Sequence, residues 1–100
     1  MTKVTLFILK MPFEDGPEEF WICSHCALIE GALAVNLHWE EELNIQRVDY
    51  PKPRQQVVDL LGEENQWLPV LVLEDKTTIK DPIDIVNYLA NRFGGAAVHP

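Results

Sequence analysis

Residues 20–27 read FWICSHCA, and the chain on either side of this stretch tells what fold it belongs to. Cys23 and Cys26, three apart, are the only cysteines. Taken alone, the pair admits three readings: a redox pair, half of a metal site, or two buried thiols with no chemistry. Upstream, Val4-Thr5-Leu6-Phe7-Ile8-Leu9 is β-branched, aromatic and almost continuously apolar, which reads as a buried strand. Between them Met11 to Glu19 (MPFEDGPEE) carries two prolines, a glycine and four carboxylates, and reads as a loop. Downstream, from Ser24 to about Leu43, the apolar residues Leu28, Ile29, Ala32, Leu33, Val35, Leu37 and Trp39 recur at helical spacing. That spacing predicts a helix with a wide buried face. The cysteines therefore fall at a strand-to-helix junction.

The remaining elements follow the same logic. Ile45 to Tyr50 alternates and reads as a strand, ended by Pro51-Lys52-Pro53. Arg54 to Leu61 is a short helix stopped by Gly62. Leu68-Pro69-Val70-Leu71-Val72-Leu73 is a third strand, opening with a proline, and Glu74-Asp75-Lys76 turns into a fourth, Thr77 to Lys80. Asp81 caps a last helix with Pro82 at its first position, where a missing N–H costs nothing. That helix runs to about Phe93 and ends at Gly94-Gly95, with residues 94–100 as a flexible tail unless something holds it. The expected order is β-α-β-α-β-β-α. A right-handed βαβ crossover makes the first two strands parallel neighbours, and the short turn makes the last two antiparallel. The fold class is α/β: a four-stranded mixed sheet with helices on both faces.

One hundred residues make one domain, with its core at about 3–93. A net charge of -8, with eight scattered Lys and Arg, argues against nucleic acid and against anionic membrane surfaces, and favours solubility. The run Val4 to Leu9 is too short for a signal-peptide core or a membrane span. These features lead to the expectation of a cytoplasmic protein, in a compartment that keeps thiols reduced.

This order, with CxxC at the first strand-to-helix junction and a proline opening the third strand, resembles the thioredoxin fold over roughly Lys3 to Phe93. Within that superfamily the chain is most similar to glutaredoxins and to the amino-terminal domain of glutathione transferases. Cys23-Ser24-His25-Cys26, Asn65-Gln66-Trp67-Leu68-Pro69-Val70-Leu71 and Asp81-Pro82-Ile83-Asp84-Ile85-Val86-Asn87-Tyr88-Leu89 carry the likeness. The chain also resembles a small bacterial family of thioredoxin-like proteins of unknown function. What the resemblance implies is thiol–disulfide exchange with protein or small-molecule thiols and disulfides. It implies no bound cofactor, glutathione being a possible co-substrate, and a cis bond at Pro69 that turns the Leu68 backbone toward an extended substrate. The transferases carry Glu-Ser where this chain has Asp81-Pro82; Pro82 offers neither hydroxyl nor N–H to a glutathione carboxylate.

The chemistry expected of the motif is specific. A helix N-terminus presents unpaired N–H groups and a partial positive charge, which favour thiolate over thiol. Cys23 is thus the expected nucleophile, Cys26 the resolving thiol one turn further in, and Ser24-His25 the pair between them, His25 tuning the thiolate. Trp67, Leu68 and Pro69 are expected at the substrate, with Trp21 as rim packing and Trp39 as core. Lys52 and Arg54 are either a carboxylate site or a solvated basic pair. No metal is expected: His38, at about 1.5 Å per residue along the same helix, would lie about 20 Å away. That leaves His25, too near in sequence to chelate beside both cysteines, and the tail residue His99. The competing class is a non-enzymatic binding module whose cysteines are inert or bind zinc.

Overall fold

A computed structural model describes residues 3–100. Its main sheet has four strands, β1 (Val4–Leu9), β4 (Leu43–Val48), β5 (Val70–Val72) and β6 (Thr78–Ile79), in the order β4-β1-β5-β6. β1 runs parallel to β4, with Val4 opposite Leu43 and Leu9 opposite Val48. β5 is antiparallel to both β1 and β6. Helices α1 (Ser24–Val35) and α4 (Pro82–Phe93) cover one face, and α3 (Gln55–Leu61) the other. This is the thioredoxin-like α/β arrangement, with helices on both faces.

Alternation along β1 builds two cores. Val4, Leu6 and Ile8 pack with Ile29 and Leu33 of α1 and with Ile85 and Leu89 of α4. Phe7, on the opposite face, packs with Val48, Val57, Val70 and Val72. Because β1 is central and buried on both faces, it reads as a continuous apolar run. Asp81 caps α4 by accepting N–H bonds from Ile83 (2.9 Å) and Asp84 (3.1 Å), with Pro82 in the first turn.

Several boundaries differ from the sequence expectation. The helix expected from Ser24 to about Leu43 is two helices: α1 ends at Val35, and a single turn, α2 (Trp39–Glu42), follows. Asn36 causes the break. Its side chain competes with the helix for backbone partners: Nδ2 donates to Ala32 O (2.9 Å) and Ala96 O (3.2 Å), and Oδ1 accepts from Ala96 N (2.8 Å). The wide apolar face is therefore narrower than expected. Ile29 and Leu33 are buried, whereas Val35 and Leu37 are 72% and 67% exposed. Trp39 is core as expected, but from a separate helix, and its Nε1 donates to Gly94 O at 2.8 Å. Tail residues are tied at Ala96 by Asn36 and at Val98 by Asn87 Oδ1 (3.0 Å). The second main-sheet strand starts two residues earlier than Ile45, and the third is trimmed to Val70–Val72.

The segment read as a plain loop, Met11 to Glu19, holds a short strand, β2 (Phe13–Glu14), which forms a small hairpin with β3 (Phe20–Trp21) just beyond it, Phe13 opposite Trp21. Its turn is closed by Asp15 N–H to Glu19 O (3.1 Å), and Gly16 takes the φ of +100° that the turn requires. Among the described residues no helix is long and apolar enough to cross a membrane.

Candidate functional site: the Cys23–Cys26 junction

β1 ends at Leu9, α1 begins at Ser24, β4 ends at Val48, and β5 begins at Val70 running antiparallel to β1. All four termini lie at one end of the sheet, and the cysteines stand among them. Both are free thiols. Cys23 is the N-cap of α1: its backbone is extended (φ −86°, ψ 118°), and its Sγ accepts the Cys26 N–H at 3.3 Å. A sulfur thus takes the place a serine or aspartate oxygen usually holds at a helix start. The Cys23 N–H in turn donates to Met11 Sδ at 3.2 Å, so the residue is fixed from both sides. It is partly exposed.

Cys26 is fully buried and packed into the α1/α4 core. Burial pushes its thiol up from 9.0 to about 12; the neighbouring Cys23 and, more weakly, Glu30 push the same way, and an N–H bond from Leu9 opposes them. Glu30 is itself held to β4 by a two-pronged pair with Arg47 at 2.8 and 2.9 Å.

The pairing of β1 with β5 stops at this end with Phe7 opposite Val70. Lys10 N–H goes to Val48 O, hence Leu9 N–H points to the β5 side. It ends on Cys26 Sγ at 3.4 Å. Among the described residues the Leu68 N–H and C=O make no hydrogen bond. The Leu68–Pro69 peptide is cis, as the resemblance implies, and so are Met11–Pro12 and Lys52–Pro53.

The surrounding loops are cross-linked. Phe13 of the hairpin stacks on Tyr50 with centroids 4.5 Å apart. The Tyr50 hydroxyl donates to Asp15 at 3.2 Å, and Trp21 Nε1 donates to Asp15 O at 2.8 Å. The Arg54 guanidinium lies over the Tyr50 ring, donating to Tyr50 O (3.0 Å) and Gln66 O (2.8 Å), while Gln66 Oε1 accepts Arg54 N–H (2.7 Å). Arg54 is thus a brace for the segment leading to Trp67-Leu68-Pro69. Lys52 is exposed.

The sequence-predicted residues divide accordingly. Cys23, Cys26, Leu68 and Pro69 come together at the sheet end. Ser24 and His25 are exposed in the first turn of α1, and the His25 ring makes no hydrogen bond among the described residues. Trp67 is 64% exposed; Trp21, expected as rim packing, is 49% exposed beside Phe20 and Ile22. His38 is on the surface but off the α1 helix, bonded to Gly94 O at 2.7 Å. Met11, Tyr50 and Gln66 were missed. The signal for the first two was available in Phe13 and Phe20-Trp21 bracketing Asp15-Gly16, a hairpin pattern. No grouping of three His, Cys, Asp or Glu side chains able to hold a metal occurs among the described residues.

No curated protein and no solved structure matches the chain. A family model described as "Protein of unknown function (DUF3088)" matches residues 3–97, nearly the whole fold just described, and the chain belongs to that family.

Proposed function

We propose that the protein is a thiol–disulfide oxidoreductase of the thioredoxin superfamily, glutaredoxin-like in its single small domain, with Cys23 and Cys26 as its redox pair. One observation carries the reading: the sulfur of the partly exposed Cys23 caps α1 and receives the Cys26 N–H, while Cys26 is buried one turn deeper. A sulfur at a helix start is favoured as thiolate, which is the attacking species. A buried thiol kept protonated waits until a mixed disulfide has formed beside it.

The exchange runs in two displacements. Cys23 thiolate attacks one sulfur of a substrate disulfide; that S–S bond breaks and the other sulfur leaves as a thiolate. Cys26 then attacks the Cys23 sulfur, its proton passing to the second departing thiolate. Two electrons have moved from the protein dithiol to the substrate. Continued reduction requires a thiol donor, for which glutathione or a protein dithiol is suitable; no bound cofactor is needed. His25, two residues beyond Cys23 and exposed in the first turn of α1, is the tuning residue in this reading. The unpaired Leu68 N–H and C=O offer an extended substrate two backbone bonds. The same reading places the protein in the cytoplasm, a compartment that keeps such dithiols reduced.

The second reading, a binding module with idle cysteines, draws on the exposed Phe20, Trp21 and Trp67. Titration with reduced and oxidised glutathione, read by alkylation and intact mass, separates the two. A two-electron transition to an internal Cys23–Cys26 disulfide supports exchange. Two thiols free across the whole range would remove it.

A further inference from the structure

The same end of the sheet carries an apolar rim and an excess of negative charge, and together they describe a substrate. Phe20, Trp21 and Ile22 lead directly into Cys23 at 65%, 49% and 67% exposure. Trp67, at 64%, precedes Leu68. The rim is not loose. The hairpin is pinned to Tyr50, Tyr50 to Arg54, and Arg54 to Gln66, so both halves are braced to one another. Outside the aromatics stand carboxylates: Glu14, Glu18 and Glu19 on the hairpin, and Glu63 and Glu64 on the loop before Trp67, all exposed. Gln66 Nε2 donates to Glu63 O at 2.9 Å, which fixes that loop to the same brace. The basic side chains at this end are Lys10, His25, Lys52 and Arg54, and Arg54 is committed to two carbonyls.

We infer that the substrate of this site is an extended polypeptide whose disulfide is flanked by apolar and basic residues, rather than an anionic small disulfide. This rests on the exchange reading above and adds its specificity. The strand would pair with the Leu68 N–H and C=O, set apolar side chains on Trp67 and Trp21, and bring lysines or arginines against the acidic border. Charge of one sign around a cleft raises the encounter rate of the opposite sign and lowers that of its own. Oxidised glutathione, with four carboxylates and two ammonium groups, carries net negative charge.

The test uses the reduced full-length chain and three disulfides: a peptide disulfide flanked by Leu and Lys, the same peptide with Glu for Lys, and oxidised glutathione. A small neutral dialkyl disulfide normalises for intrinsic reactivity. In each case protein dithiol and substrate disulfide go to protein disulfide and substrate dithiol, followed by mass. At low salt the cationic peptide should react about tenfold or more faster than either anionic disulfide, the steering range for such fields. At 1 M salt, where the screening length is about 3 Å, the gap should close. In E18Q/E19Q/E63Q/E64Q the cationic-to-anionic rate ratio should fall toward one. Equal rates for the two peptides, or a faster reaction with glutathione, overturn the inference while leaving exchange intact. If even the neutral disulfide leaves both thiols free, the exchange reading has failed. Docking is then judged by Trp fluorescence titration of Cys23→Ser with the two reduced peptides. Tighter binding of the cationic one upholds the recognition, and equal binding overturns it.

Discussion

Replacing Cys26 with serine should leave Cys23 able to attack but unable to let go, so a stable mixed disulfide with substrate should appear in the intact mass. Cys23→Ser should form none. The buried thiol also makes stability depend on pH. Its folded value, about 12, stands above the ordinary 9.0, so the folded state keeps a proton that the unfolded chain gives up. The stabilisation is whole below about 9 and is lost as pH climbs toward 12, at about 1.4 kcal/mol per unit. Urea unfolding of the reduced protein and of Cys26→Ala should therefore show the wild-type advantage shrinking by about 1 kcal/mol between pH 9 and 10. An advantage that stays constant would mean that the thiol is not held protonated. At this scale the sequence was largely readable, because CxxC at a strand-to-helix junction already ranks an outer and an inner cysteine. What it did not carry is the Leu9 bond to Cys26 sulfur, which depends on how α1 packs over the end of β1.

Among the elements, the short gap between α1 and α2 carries the clearest consequences. Asn36 is 3% exposed and joins the end of α1 to the tail through three bonds. Asn36→Ala leaves Ala96 N–H without its partner and should cost about 1–3 kcal/mol. In a chain this size that is a fall in Tm of roughly 4–8 °C per kcal/mol, measured by calorimetry. Gly95 has φ +128°, and a Cβ there would collide with Asn36 Oδ1. Gly95→Ala should therefore destabilise by a comparable amount, and a neutral result in unfolding experiments would show that the tail is free to swing away. Both elements illustrate where periodicity stops being informative. The apolar residues after Val35 kept helical spacing, yet one asparagine with a better partner in a distant tail ended the helix. Conversely α4 was legible to the residue, because Asp81, Pro82 and Gly94 are local signals needing no tertiary partner.

Across the whole molecule the two faces of β1 are unequal. Among the described residues the α1/α4 side buries thirteen in one cluster, and the α3 side five. Native-state hydrogen exchange should therefore find α3 opening at lower free energy than α1 and β1; equal protection in all three would contradict the division. The parallel first pair of strands, the antiparallel last pair and helices on both faces could be argued from sequence, since connection length and handedness leave few topologies; that β5 joins the sheet beside β1 could not. The size of each core could not, because it depends on how far α3, a two-turn helix, reaches across the sheet.

The start of α1 has a consequence for how the protein stores its history. Its first turn is capped by the very sulfur that the proposed chemistry consumes. Making a bond at Cys23 alters the acceptor beneath the Cys26 amide, so the firmness of a structural element becomes a record of whether electrons have been spent. The difference in folding free energy between dithiol and disulfide forms is then tied to the reduction potential by a closed thermodynamic cycle, with about 30 mV for each 1.4 kcal/mol. A thermometer could in principle read this protein's oxidation state as well as an electrode.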